Sequence, residues 1–224
     1  MKIMDWPESE RPREKLLRNG AQTLSDAELL AVFLRIGTQG KTAVDLGREL
    51  LERFAGVKAL MNASRNEFTA VNGIGDAKYA ALQAVFELSR RAILEPIKRD
   101  NALTRPADTR QYLLSILSHL QREVFWCLFL DNQHRVIASE ALSYGTIDQA
   151  NIYPREVLKA CISHNAAAVI FAHNHPSGSA EPSEADKRIT RRLQEALALI
   201  DIRTLDHVIV AAGSTTSMAE LGLI

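Results

Sequence analysis

A chain of 224 residues with 46% apolar and 24% charged residues has enough apolar material for one large core or two small ones. Its 27 basic and 27 acidic side chains cancel, so no global field favours nucleic acid, membranes or acidic substrates, and any DNA affinity must be local. Divided at residue 100, the two halves carry net charges of only about +2 and −2.

The opening Met1-Lys2-Ile3-Met4-Asp5-Trp6-Pro7 has no apolar signal core. No segment approaches the roughly 18 uninterrupted apolar residues of a membrane span, so a cytoplasmic protein without membrane contact is expected. Cys127 and Cys161 lie in apolar segments without C-x-x-C spacing and are expected as buried, reduced thiols.

From Thr23 to about Leu94 the apolar spacing is helical. Ser25-Asp26-Ala27-Glu28 resembles a capped start, and Gly37 to Gly40 breaks the pattern. Helices over Thr42–Phe54 and Val57–Asn62 follow, and Val71-Asn72-Gly73-Ile74-Gly75 leads into a long helix ending near Arg91. Pro96, Lys98-Arg99-Asp100 and Pro106 read as a linker, with the domain boundary between residues 102 and 103.

Beyond it the expected order is a helix at Thr109–Leu120, strands at Glu123–Leu130 and Arg135–Leu142 around the turn Asp131-Asn132-Gln133, and a helix at Pro154–His164. A strand at Ala166–Ala172, a helix at Ser183–Leu199 and a strand at Thr204–Val210 complete it. The fold class is therefore two domains: an all-α domain over residues 1–102 and an α/β domain over 103–224, with a mixed sheet flanked by helices.

Directly behind the apolar run stands His173-Asn174-His175-Pro176-Ser177-Gly178, followed by Pro182-Ser183-Glu184-Ala185-Asp186. If the run is a buried strand, its period of two sends His173 and His175 to one face, and a turn returns Asp186 on the next helix. Two imidazoles and a carboxylate suit a borderline ion such as zinc, and three protein ligands leave one position open, as in catalytic sites. Each part alone has a plainer reading: H-x-H is a common strand end, and S-x-x-D is a helix capping box.

The segment His173-x-His175 followed by seven residues, Ser183, two residues and Asp186 resembles the JAMM, or MPN-plus, metalloprotease motif. More narrowly, His173 to Gly178 with Pro182-Ser183 is similar to the bacterial RadC family. Tyr144-Gly145-Thr146-Ile147, Pro154-Arg155-Glu156, Leu205-Asp206-His207 and the helical front half resemble it too. The resemblance implies a JAB/MPN-like domain with zinc on His173, His175 and Asp186, and Ser183 as hydrogen-bond donor to the oxyanion. It also implies hydrolysis of a peptide or isopeptide bond in a protein or peptide substrate.

A base is still needed to move the proton of the attacking water. The residues themselves leave Glu123, Asp131, Glu140, Glu156 and Glu181 open and disfavour Glu184 as a first-turn residue complementing the helix dipole. In JAMM proteins the base is a Glu near the start of an early strand; by that resemblance Glu123 is the base, with Glu140 in reserve. His119, His134 and His164 read as surface residues. His207 reads as a hydrogen-bonded core histidine or as a support for a ligand.

In the front half, Val71 to Gly75 is similar to a helix-hairpin-helix turn. There Gly73, Gly75 and Lys78 could approach phosphates for weak, sequence-independent DNA binding, although a tight αα-hairpin looks the same. The alternative function is accordingly a DNA-associated module with a structural or vestigial metal site, in keeping with the repair label attached to the RadC name. A zinc nuclease ranks last, because phosphoryl transfer often uses two metals.

Overall fold

The computed structural model describes residues 3–99, 106–145, 152–211 and 213–224. The boundary read at residues 102 and 103, and Thr146 and Ile147, lie outside them. The chain divides into two compact units, Met1–Leu88 and Ser89–Ile224.

The first unit is helical: α1 (Pro12–Asn19), α2 (Asp26–Leu34), α3 (Ala43–Arg53), α4 (Val57–Asn62), α5 (Arg65–Thr69) and the opening of α6 (Asp76–Arg99). The starts of α2, α3 and α5 are fixed by reciprocal capping boxes, Ser25 with Glu28, Thr42 with Asp45 and Ser64 with Glu67. Their apolar faces meet in a core around Leu34, Leu46, Leu50, Leu60 and Phe68. The helix expected to end near Arg91 continues to Arg99 through Pro96. Proline removes one helical N–H, but Ile93 and Leu94 in the turn before it are held against the core of the second unit.

The second unit is built on a five-stranded mixed sheet in the order β2-β1-β3-β4-β5. Its strands are β1 (Val124–Leu130), β2 (Val136–Tyr144), β3 (Ala168–Asn174), β4 (Arg203–Ala211) and β5 (Ser214–Ser217). β3 pairs antiparallel with β1 and parallel with β4, and β2 and β5 are antiparallel edges.

On one face, Ile170, Ala172, Leu128 and Val210 pack under α7 (Pro106–Leu117) through Leu113 and Leu117. On the other, Phe125, Phe129, Val169 and Phe171 pack under α8 (Pro154–Ser163) and α9 (Glu184–Ala198) through Val157, Cys161, Leu193 and Leu197. β5 was not expected, since Ser214-Thr215-Thr216-Ser217 has no apolar alternation and forms by pairing with β4.

Cys127 and Cys161 are free and buried. Burial pushes the Cys161 thiol up to about 11. No helix among the described residues is long and apolar enough to cross a membrane.

Candidate metal centre

His173, His175 and Asp186 converge from three kinds of backbone. The pleat of β3 turns Val169, Phe171 and His173 to the α8–α9 face, where the His173 ring stacks 6.3 Å from that of Phe125. His175 lies just past the strand, yet its N–H reaches the Val210 carbonyl at 2.8 Å, so the ladder and its alternation carry on and His175 shares the face of His173. A turn closed by Gly178 N–H on the His175 carbonyl then reverses the chain; it needs φ of +93° at Gly178, which glycine adopts without strain.

Helix α9 starts in a capping box that also aims its acid. Ser183 Oγ accepts from Asp186 N–H at 3.1 Å, and Asp186 Oδ2 accepts from Ser183 N–H at 2.7 Å. His173 Nε2 is then 2.8 Å from His175 Nε2 and 3.1 Å from Asp186 Oδ1, and His175 Nε2 is 3.4 Å from Asp186 Oδ2.

The outer hydrogen bonds assign the tautomers. His175 Nδ1 faces the Ser179 carbonyl oxygen at 2.8 Å. A carbonyl only accepts, so Nδ1 holds the proton and Nε2 of the neutral ring holds a lone pair. His173 Nδ1 is 2.8 Å from His207 Nε2, His207 Nδ1 meets Thr190 Oγ1, and Thr190 Oγ1 lies 2.6 Å from the Asp186 carbonyl.

Threonine has one proton, and the carbonyl requires it. His207 Nδ1 therefore donates to Thr190, His207 Nε2 accepts from His173, and His173 Nε2 is left as a lone pair. Complete burial, with His173 beside it, holds the His207 imidazole well below its usual pKa and keeps it neutral.

Two imidazole lone pairs and a carboxylate thus face one another. Tetrahedral zinc with bonds of about 2.0–2.1 Å places its donors roughly 3.3 Å apart, close to the spacings found here, so the donor set fits such an ion. In the metal-free chain a proton serves the same need. Burial alone would raise the Asp186 carboxyl, but the adjoining imidazoles of His173 and His175 and the hydrogen bond from Ser183 hold it far below the usual carboxylate range. His175 is held above the ordinary imidazole value, chiefly by its hydrogen bond to Asp186.

β1 sets Phe125 opposite His173 at the last pair of the ladder, and Glu123 stands immediately before β1. The charge of Glu123 contributes to the raised His175. The other carboxylates are engaged away from this point: Asp131 with Arg135, Glu140 with His164, Glu156 with Lys159 and Glu184 with Lys187. Glu181 is an exposed loop residue.

The remaining histidines have partners of their own. His119 meets Arg90, His134 meets Arg203, and His164 meets Glu140 and packs on the Phe129 ring. His207 is a fully buried core residue, hydrogen-bonded between His173 and Thr190. Sequence reasoning passed over Thr190, whose place one turn beyond Asp186 on α9 was its only signal.

In the first unit, Gly73 has φ of +84°, and a Cβ there would fall 1.8 Å from Thr38 Cγ2, so close packing demands this glycine. A Cβ at Gly75 would meet open space. Lys78 Nζ donates to the carbonyls of Gly73 at 2.7 Å and Ile36 at 3.3 Å, and Asp76, at the start of α6, pairs with Arg65.

A family model described as a RadC-like JAB domain matches residues 103–223, and one described as a UPF0758 N-terminal domain matches residues 3–80. A UPF0758 protein of Thioalkalivibrio sulfidiphilus is 60% identical over 224 residues, covering 100% of both chains. Those of Cellvibrio japonicus and Nitrosococcus oceani are 61% identical over 222 residues, covering 99% of both chains, and 59% identical over 224 residues, covering 100% of both. The chain therefore belongs to the RadC family, with a RadC-like JAB domain behind a UPF0758 N-terminal domain in the sequence.

Proposed function

We propose that this chain is a zinc-dependent hydrolase that cleaves a peptide or isopeptide bond in a cytoplasmic protein or peptide substrate. The observation that carries the reading is the convergence of three donors, His173, His175 and Asp186, and it is supported by Glu123, whose charge acts on His175. Zinc would supply Lewis-acid polarisation of the scissile carbonyl and a lowered pKa for water.

His173, His175 and Asp186 hold the ion. Glu123 accepts a proton from the attacking water and returns it to the leaving amine as the C–N bond breaks. The Ser183 hydroxyl, at the exposed start of α9, donates to the carbonyl oxygen as negative charge builds there.

The test is metal analysis of the purified chain, followed by turnover of a panel of peptides and isopeptide-linked conjugates with and without chelator. The expected result is zinc bound in the wild type and absent from His173→Ala, with Glu123→Gln keeping zinc and losing turnover. A chain that takes up no zinc, or a Glu123→Gln variant as fast as wild type, overturns the proposal.

Open backbone at Gly75 favours a second reading, DNA contact through Gly73, Gly75 and Lys78. It predicts a salt-sensitive gel shift lost in Gly75→Asp, and it requires Lys78 to leave its two carbonyls.

A further inference from the structure

Between the two histidines stands Asn174, whose side chain points to the opposite face of the sheet and is 2% exposed. Three of its four hydrogen-bonding positions are used on one short stretch of chain. Its Oδ1 accepts from Val124 N–H at 2.8 Å, and its Nδ2 donates to the carbonyls of Arg122 at 2.9 Å and Leu120 at 3.2 Å. The backbone pairing of β1 with β3 reaches only as far as Phe125 and His173, so this amide prolongs the ladder where the main chain stops. Two of its bonds straddle Glu123, on residues 122 and 124, while Gly145 N–H holds the Glu123 carbonyl from the other side at 2.8 Å.

We infer that Asn174 is a positioning residue that fixes Glu123 in place over the metal ligands. The inference rests on Glu123 being the base of the proposed hydrolysis. One tripeptide, His173-Asn174-His175, then governs both halves of the chemistry: the ligands on one face of the sheet and, through the amide on the other, the placement of the base. A glutamate at a strand end has free rotation about its side-chain bonds and a backbone prone to fray, and holding that backbone on both sides removes much of the second freedom.

The test uses the full zinc-loaded chain with Asn174→Ala and Asn174→Asp. Both variants are expected to keep a full complement of zinc, since no ligand is touched. Hydrogen exchange of the Val124 and Gly145 amides is expected to accelerate by about 10-fold or more, while Ile170 and Ala172 stay protected. Turnover should fall about 10- to 100-fold in kcat with KM little changed.

Asn174→Ala combined with Glu123→Gln should be no slower than Glu123→Gln alone, because both act through one carboxylate. Asn174→Asp keeps the acceptor for Val124 but opposes two carbonyls, so its loss is smaller than that of Asn174→Ala or equal to it. If Asn174→Ala loses its near-ultraviolet dichroism, Asn174→Asp alone decides.

Unchanged exchange at Val124 and Gly145, losses that multiply with Glu123→Gln, or zinc lost along with turnover each overturn the inference. A zinc-loaded wild type that hydrolyses nothing sinks the hydrolase reading separately, and exchange then still decides whether Asn174 holds the Glu123 segment.

Discussion

Thr42-Ala43-Val44-Asp45 and Ser183-Glu184-Ala185-Asp186 open α3 and α9 with the same device, a hydroxyl taking the N–H of the acid three residues on while that acid takes the N–H of the cap. At α3 the acid is satisfied locally: Thr42 supplies both its N–H and its hydroxyl, and Arg48 on the same helix adds a bond at 3.3 Å. At α9 the rest of the acid meets two imidazoles brought from β3 and the turn after it. The box is a local product of S/T-x-x-D. The candidate metal centre is made by what the sheet sets against it.

Substituting each acid tests the contrast most severely. Asp186→Asn should abolish zinc retention and lower turnover by about a thousand-fold or more, whereas Asp45→Asn should leave both intact and cost about 1 kcal/mol or less of stability. Metal analysis and urea unfolding of the pair measure it, and zinc retained by Asp186→Asn would erase the distinction.

A smaller effect is expected at Thr190→Val, which leaves His207 Nδ1 without its acceptor and frees the tautomer of His173. Zinc affinity, measured by competition with a chelating dye, should drop about 10- to 100-fold.

Acidity separates the two acids next. In the metal-free chain, protonated His175 on Asp186 stabilises the fold fully below about pH 6.5, and this is lost as pH rises through the raised His175 value. In the zinc-loaded chain protons compete with the ion, so zinc-derived stability declines as pH falls. Melting curves with and without chelator should therefore converge towards acid. Asp45, its carboxyl lowered by Thr42, contributes stability that is present above about pH 3.9 and lost only as pH falls through the depressed value, so α3 adds no slope near neutrality.

The smallest effect is at the caps themselves. Thr42→Ala should cost about 1 kcal/mol with zinc unaffected, and Ser183→Ala a similar amount with a fall in turnover besides. Equal kinetics for Ser183→Ala and wild type would leave Ser183 a cap and nothing more.

Much of this site was legible in the residues. His173, His175 and Asp186 are close in the chain, and the periods of strand and helix alone predict that they meet. Glu123 was legible only by resemblance, because its place depends on the register of β1 against β3, and no local signal records a register. The residues left His207 between two readings and did not mark Thr190 at all, since the contacts that place them span 34 and 17 residues. Asn174 stood in plain view between two histidines, but its bonds depend on which segment lies beside β3. In the fold, Pro96 misled because proline usually ends a helix, and here packing of Ile93 and Leu94 outweighs it.

The double duty of Asp186 Oδ2, which serves both a backbone N–H and the His175 imidazole, would couple metal uptake to the order of the first turn of α9. Coupling of this kind is reciprocal. In the proposed hydrolase, whatever tightens that turn, including a substrate that docks against Ser183, would raise the grip on zinc by the same factor by which zinc favours the docked state. Such an enzyme would hold its ion most firmly while occupied, and it would be most open to chelators in the interval between turnovers.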